Sequence, residues 1–235
     1  MKIYGKNVAF EKLNNNNKIY KIYLSKNFND DKILSLIKKK NIPTKVVDKR
    51  ELDNICSGLH QGIILEVDDI KTYDLEDVVN NINKEYPLIV ILDHIEDPHN
   101  FGAIIRSCEA FDVDAIIIPK DRSVDITSTV VKVSVGTIEK VKIIKVVNIV
   151  NAIKKLKDNG YWIVGTDMSG TNYTTIDYKT KIAVVIGNEG RGISRLVSEN
   201  CDYLAKIPMK GTVNSLNASV ACGIFLSEIN RSRGE

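Results

Sequence analysis

The chain contains few aromatic residues and no long apolar segment. Phe, Trp and Tyr make up 6% of its 235 residues, and there is a single Trp. No apolar run approaches the roughly 20 residues that a membrane-spanning helix needs, and the first residues show no apolar signal core. We therefore expect a cytoplasmic protein with no membrane partner.

Cysteine and histidine are also scarce, at four and three residues. The cysteines show no CxxC spacing, which argues against a structural zinc site and a disulfide framework, so we expect them reduced and packed. His94 and His99 flank one turn, but no third ligand follows at a suitable spacing. We expect no metal and interpret both histidines as surface or capping residues.

The net charge of +3 is too small to indicate a nucleic-acid partner, but its distribution is uneven. The first 70 residues hold 13 Lys and Arg against 9 Asp and Glu, so the remainder is close to neutral. A basic front is typical of an accessory module attracted to phosphate. For the Lys38-Lys39-Lys40 run itself, the favoured interpretation is solvation of a helix end.

The length and the 43% hydrophobic content favour two domains. We predict a small α/β unit over residues 1–70, a polar, asparagine-rich linker over 71–86 and a larger domain over 87–235. Strands and helices alternate in the last part, with apolar strands predicted at 88–92, 115–118, 142–146, 162–165 and 182–186. This alternation predicts an α/β fold with a mostly parallel sheet, whose ligands bind at the carboxyl ends of the strands.

The strongest single feature is a glycine-rich turn, Gly187 to Gly192, directly after the buried strand at 182–186. Glycine allows the backbone to approach a bound molecule closely, so its N–H and C=O groups can contact a small cofactor. A proline-fixed stretch, Ile207-Pro208-Met209, and the segment Asn214 to Ala221 follow. These segments together predict a ligand site.

Polar residues cluster around the predicted strand ends, and some have simple structural explanations. Asn100 could be only a helix N-cap, an alternative that the sequence leaves open. Asp93, Glu96 and Asp97 precede a proline, as acids at a turn and helix start usually do. Arg106 lies in an otherwise apolar helix, where a permanently charged guanidinium needs partners, and this favours a functional role.

Three ordered motifs resemble the SpoU (TrmH-like) branch of the SPOUT RNA methyltransferases. They are Asp97 to Ser107, Gly187 to Gly192, and Ile207-Pro208-Met209 with Asn214 to Ala221. At the front, Ile3-Tyr4-Gly5 and Leu59 to Ile63 are similar to the small ribosomal-protein-like RNA-binding domain of the RlmB type, the large-subunit rRNA guanosine 2′-O-methyltransferases. The resemblance covers nearly the whole chain.

This resemblance implies an S-adenosylmethionine-dependent enzyme with a C-terminal α/β trefoil-knot domain. It further implies a homodimer whose active sites are built at the subunit interface. Carried over by motif position, the cofactor residues are Gly187, Ile207 and Leu216, with Thr166 and Gly165 nearby. The implied catalytic cluster is Asn100, Arg106, Glu189, Ser215 and Asn217.

The implied residue types suit methylation of a ribose 2′-hydroxyl. The resemblance makes Arg106 the general base, but a guanidinium with a pKa above about 12 gives up a proton reluctantly. We therefore expect Arg106 to stabilise the developing alkoxide or a neighbouring phosphate, with Glu189 orienting it and the base unassigned. Asn100, Ser215 and Asn217 would position the substrate and the cofactor.

The expected substrate is a guanosine of 23S ribosomal RNA. A tRNA guanosine and the adenosine methylated by resistance-type rRNA enzymes remain alternatives within the family. An NAD-type oxidoreductase is disfavoured because the turn reads GxxGxG near the end of the chain, whereas the dinucleotide fingerprint is GxGxxG in the first βαβ unit. A non-catalytic RNA-binding protein is disfavoured by the complete catalytic cluster.

Overall fold

A computed structural model describes residues 1–15, 17–56, 58–212 and 215–234. The strands are β1 (Lys2–Tyr4), β2 (Ile19–Ser25), β3 (Thr44–Val47), β4 (Ile63–Val67), β5 (Thr72–Tyr73), β6 (Leu88–Asp93), β7 (Ala115–Pro119), β8 (Lys142–Val146), β9 (Trp162–Asn172), β10 (Ile182–Gly187) and β11 (Tyr203–Lys206). The helices are α1 (Lys6–Asn14), α2 (Asp31–Lys40), α3 (Lys49–Ile55), α4 (Leu75–Asn80), α5 (Pro98–Ala110), α6 (Ser128–Val133), α7 (Ile149–Asp158), α8 (Arg195–Ser198) and α9 (Ala218–Arg233).

The chain forms two compact units that do not follow a single cut in the sequence. The first unit contains residues 1–70 and 126–138, and the second contains 71–125 and 139–235. Helix α6 therefore belongs to the first unit, although strands of the second unit precede and follow it. No described helix is long and apolar enough to cross a membrane.

The first unit is built on a four-stranded sheet with the order β1-β4-β2-β3, in which β2 and β3 are parallel. The antiparallel strands β1 and β4 place Tyr4 opposite Ile64, and both pack with Leu52 of α3 in a buried cluster. Helix α6 packs on β1, where the hydroxyls of Thr129 and Tyr4 are 3.3 Å apart. Lys132 of the same helix donates to the carbonyl of Leu59.

The second unit contains a seven-stranded sheet with the order β11-β9-β10-β6-β7-β8-β5. Each of its strand pairings is parallel, which confirms the predicted α/β fold class with a parallel sheet. Strands β6, β7 and β10 are buried almost throughout, as their continuous apolar sequences predict. The register pairs Gly187 with Asp93, so the loops after β6 and β10 begin side by side.

Strand β9 is longer than its apolar sequence predicts. The sequence predicts a strand over residues 162–165, but β9 continues to Asn172. The short strand β11 pairs first with Val164 and Gly165 and then, after a shift in register, with Thr171 and Asn172. Gly170 permits this pairing, since a Cβ there would lie 2.3 Å from the carbonyl carbon of Leu204. A polar edge strand gives no apolar pattern, so neither the extension nor β11 was predicted.

The segment 71–86, predicted to be a linker, carries β5 and α4 in the structure. Strand β5 adds to the edge of the large sheet beside β8, and Leu75 and Val78 of α4 are buried in the core of the second unit. Their contacts place this segment in the second unit. The division into modules at 1–70, 71–86 and 87–235 stays a prediction.

Candidate functional site

The site begins at the start of α5, directly after the buried end of β6. Pro98 occupies the first turn of the helix, and Asp97 is its N-cap, with Oδ1 accepting from the backbone N–H of His99 at 3.0 Å. The alternative that Asn100 is only the N-cap is therefore wrong. Asn100 lies inside the first turn and is 8% exposed, so its side chain can bond to other elements.

Asn100 is the centre of a chain of side-chain hydrogen bonds that joins three elements. Asn217 caps α9, where its Oδ1 accepts from the backbone N–H groups of Ser219 and Val220. The Asn217 Nδ2 donates to Asn100 Oδ1 at 2.9 Å, and Asn100 Nδ2 donates to Glu189 Oε1 at 2.5 Å. The cap of α9 thus fixes both amide orientations, and Glu189 can only be the acceptor.

A cavity of about 370 Å³ opens beside Glu189. Four of the five predicted cofactor residues line it, together with Ser215 and Glu189 of the predicted catalytic cluster; the four are Thr166, Gly187, Ile207 and Leu216. Ala218, Ala221 and Phe225 of α9 add apolar surface. Its volume and its mixture of apolar side chains and loop backbone suit a nucleoside-sized ligand. Asn214, which opens the second segment of the third motif, lies outside the described residues.

Gly165, the fifth predicted cofactor residue, does not line this cavity. It is buried in β9, and a Cβ there would lie 2.7 Å from Sγ of Cys201 and 2.9 Å from Cδ1 of Ile193. Burial raises the pKa of the Cys201 thiol to about 12, so the packing partner of Gly165 is a neutral thiol. The structure therefore explains this glycine by close packing.

Arg106 is placed apart from the other predicted catalytic residues. It is exposed on α5, and none of the described residues forms a hydrogen bond or an ion pair with it. The predicted contact by which Glu189 would orient Arg106 does not form within one chain. Glu189 accepts a hydrogen bond from Asn100 instead. The structure thus joins Asn100, Glu189 and Asn217, and leaves Arg106 outside their network.

Asp93 and Asn188 have structural roles that the sequence did not indicate. Asp93 is fully buried, and its carboxylate accepts from the backbone N–H of Ser194 at 2.6 Å and pairs with Nδ1 of His94 at 2.5 Å. Asn188 donates to the carbonyl of His94, and its Oδ1 accepts from Gly190 N–H. These bonds fasten the turn at 187–192 to the end of β6.

Gly187 should not tolerate a side chain. A Cβ at this position would lie 2.2 Å from the carbonyl carbon of Gly192 and 2.4 Å from the backbone nitrogen of Ile193. We expect Gly187→Ala to displace the turn, cost about 2 kcal/mol and lower Tm by about 5 °C. Calorimetry should show this loss, together with a Kd for S-adenosylmethionine at least about tenfold higher.

Gly190→Ala is the matched control, since the nearest atom to its Cβ would be Asn188 Oδ1 at 3.6 Å. This variant should keep the Tm and the cofactor affinity of the natural protein. Equal behaviour of the two alanine variants would show that the backbone contact at Gly187 does not shape the cavity.

Two family matches span most of the chain. Residues 87–227 match the SpoU rRNA Methylase family, and residues 2–73 match the family described as RNA 2′-O ribose methyltransferase substrate binding. The first match covers the cavity, the Asn100 network and Arg106. The chain belongs to the SpoU methylase family.

Individual relatives extend this likeness over the full length. A Bacillus subtilis protein described as a putative TrmH family tRNA/rRNA methyltransferase, YacO, is 39% identical over 98% of this chain and 95% of its own. The AdoMet-bound rRNA methyltransferase from Sinorhizobium meliloti is 25% identical over 98% of this chain and 86% of its own, with a TM-score of 0.78. The A. aeolicus TrmH/SpoU tRNA modifying enzyme is 34% identical but covers 68% of this chain and 81% of its own, with a TM-score of 0.59.

The family membership confirms the predicted enzyme class and cofactor. This SpoU methylase is an RNA methyltransferase that uses S-adenosylmethionine. The cavity beside Glu189 agrees with that cofactor in size and in its backbone-rich lining. The SPOUT fold class expected from the motifs is confirmed by the related structures.

Proposed function

We propose that this SpoU methylase methylates a ribose 2′-hydroxyl of large-subunit (23S) ribosomal RNA, at a guanosine. The observation that carries the proposal is the presence of both family matches in one chain, the catalytic part and the 2′-O ribose substrate-binding part. The tRNA modifying relative, by contrast, covers 68% of the chain. We propose that the enzyme acts on this RNA in the cytoplasm.

The cavity lined by Thr166, Gly187, Ile207 and Leu216 is the proposed S-adenosylmethionine site. When bound, the cofactor supplies a sulfonium methyl group that is already activated for attack. The chain must then hold the ribose hydroxyl in line and stabilise the oxyanion that forms. Asn100 and Asn217, whose amides are fixed by the cap of α9, are suited to positioning the substrate against the Glu189 side of the cavity.

Arg106 is the proposed electrostatic partner of the reacting ribose. Its guanidinium remains charged at any physiological pH and can donate to an alkoxide or a phosphate oxygen. The exposed position of Arg106 in one chain supports a homodimer, in which a second copy would complete the site. Val220 on α9, an apolar residue that is 49% exposed, supports the same arrangement.

The decisive experiment is tritium transfer from S-adenosylmethionine to unmodified large-subunit rRNA and, in parallel, to unmodified tRNA. We expect label in rRNA, mapping to the 2′-oxygen of a guanosine. Label confined to tRNA would overturn the rRNA assignment, and label at an adenosine would move the enzyme to the resistance type. Sedimentation of the cofactor-bound protein should give a dimer mass, and a monomer would refute the shared site.

A further inference from the structure

A second cavity, of about 450 Å³, borders the same turn as the proposed cofactor cavity. Both cavities are lined by Asn188 and Gly192, so they adjoin at the turn at 187–192. The remaining lining residues are Asp93, His94, Glu96, Arg122, Arg191 and Ser194. They come from the ends of β6 and β10 and from the loop after β7, at the carboxyl edge where parallel sheets bind ligands.

Two arginines of this second cavity form no ion pair within the part of the chain that the structure describes. Arg122 and Arg191 are exposed, and neither forms an ion pair or a hydrogen bond with any described residue. This holds although Glu96 lines the same cavity. Guanidinium groups that are left without carboxylates in a concave site are suited to a ligand with anionic oxygens.

The buried carboxylate beside them is already satisfied. One oxygen of Asp93 accepts from Ser194 N–H and the other pairs with Nδ1 of His94, so both oxygens of this buried carboxyl have partners. The His94 side chain is 40% exposed, and its Nε2 remains available to a ligand. The Asp93 pairing fixes the ring of His94 at the edge of the cavity.

The backbone of two lining residues is held in an unfavourable conformation. His94 has φ 60° and Arg122 has φ 54°, in the left-handed region that costs a non-glycine residue about 1 kcal/mol or more. Such residues concentrate at functional sites, where the surrounding structure holds them in place. Here the side chains of both strained residues line the same cavity.

We propose that the second cavity binds a backbone phosphate of the RNA next to the methylated nucleotide, with Arg122 and Arg191 donating to its oxygens. The proposal rests on the proposed function, because the RNA must reach the adjoining cofactor cavity. A ribose whose 2′-oxygen faces that cavity carries a phosphodiester close by on either side. A phosphate held beside the turn at 187–192 would therefore fix the register of the RNA strand.

The test compares variants that remove opposite charges from the same cavity. Arg122→Gln and Arg191→Gln should each raise the Kd for a large-subunit rRNA transcript by about tenfold and lower the slope of log K against log salt by about 0.7 to 0.9. Glu96→Gln should lower the Kd instead. Lys154→Gln removes an exposed cation of α7 outside both cavities and should leave the Kd unchanged.

Filter binding from about 50 to about 300 mM KCl gives the slopes, and the Kd for S-adenosylmethionine should be equal in all four variants. Kd shifts of opposite sign in the arginine variants and in Glu96→Gln cannot come from misfolding, since misfolding would weaken RNA binding in each variant. Unchanged slopes in proteins that still methylate RNA would overturn only the phosphate site. A natural protein that binds no RNA would overturn this site together with the proposed function.

Discussion

Arg106→Ala is expected to lower kcat for methyl transfer by about 10²- to 10³-fold while the Kd for S-adenosylmethionine stays within about twofold. The loss would follow from removing the positive charge that we propose stabilises the reacting ribose oxygen. The cofactor affinity should persist because Arg106 lies outside the lining of the proposed cofactor cavity. Single-turnover methyl transfer and calorimetric titration of the cofactor measure the two quantities separately.

Two controls sharpen this prediction. Arg195→Ala removes another exposed arginine, which lies on α8 and pairs with Glu199, and should leave kcat unchanged. Arg106→Lys keeps the charge but loses the planar fork of donors, so its kcat should fall between the natural and alanine enzymes. An Arg106→Ala enzyme with normal turnover would remove this residue from the mechanism.

Asn100→Asp should be the most damaging isosteric change in the network. It replaces the amide that donates to Glu189 by a second carboxylate at hydrogen-bond distance. The two acids cannot both ionise at this separation, so one carboxyl pKa must rise above its unfolded value. We expect a loss of about 1 to 3 kcal/mol in the free energy of unfolding near pH 8 and a loss of at least about 10²-fold in kcat.

The sign of the pH dependence distinguishes this mechanism from a simple packing defect. A carboxyl whose pKa is higher in the folded state than in the unfolded state destabilises the protein when the pH is above the unfolded-state pKa. The Tm difference from the natural protein should therefore be large at pH 8 and shrink towards pH 4. Asn148→Asp makes the same change at the cap of α7, where an aspartate can still accept from Asn151 N–H. Its Tm should stay near that of the natural protein.

Exchanging the amide of Asn100 and the carboxylate of Glu189 tests whether Glu189 serves as a hydrogen-bond partner or as a negative charge. Combining Asn100→Asp with Glu189→Gln again places one amide opposite one carboxylate, and the Tm at pH 8 should return towards the natural value. If kcat also returns, the network needs only the hydrogen bond. If kcat stays low, catalysis requires the negative charge at position 189 itself. A double variant no more stable than Asn100→Asp would contradict the described contact.

The sequence predicted the large sheet well because its strands are buried on both faces. Leu88 to Leu92 and Ile182 to Ile186 are unbroken apolar runs, and such runs alternating with amphipathic helices leave few alternatives. The short edge strand β11 lacks this pattern and is stabilised by its neighbour. Pairing between chain segments about 40 residues apart is a tertiary effect that local periodicity does not encode.

The candidate site was predictable in composition but not in detail. Gly165 and Gly187 both end apolar runs and look equivalent in the sequence, yet the first packs against Cys201 and the second supports the turn beside the cavity. Asn100 resembles a helix cap until Asp97 is seen to occupy that position. Which of two polar residues three positions apart caps a helix depends on where the first turn begins, and that boundary is poorly determined by sequence.

The position of α6 has a consequence for synthesis on the ribosome. Strand β1 emerges among the first residues of the chain, but the helix that packs on it ends at Val133. At about 5 to 20 residues per second, this partner follows roughly 6 to 25 seconds later. Until then the first unit lacks one of its layers, so the front of this protein should become protease-resistant only after more than half of the chain has been translated.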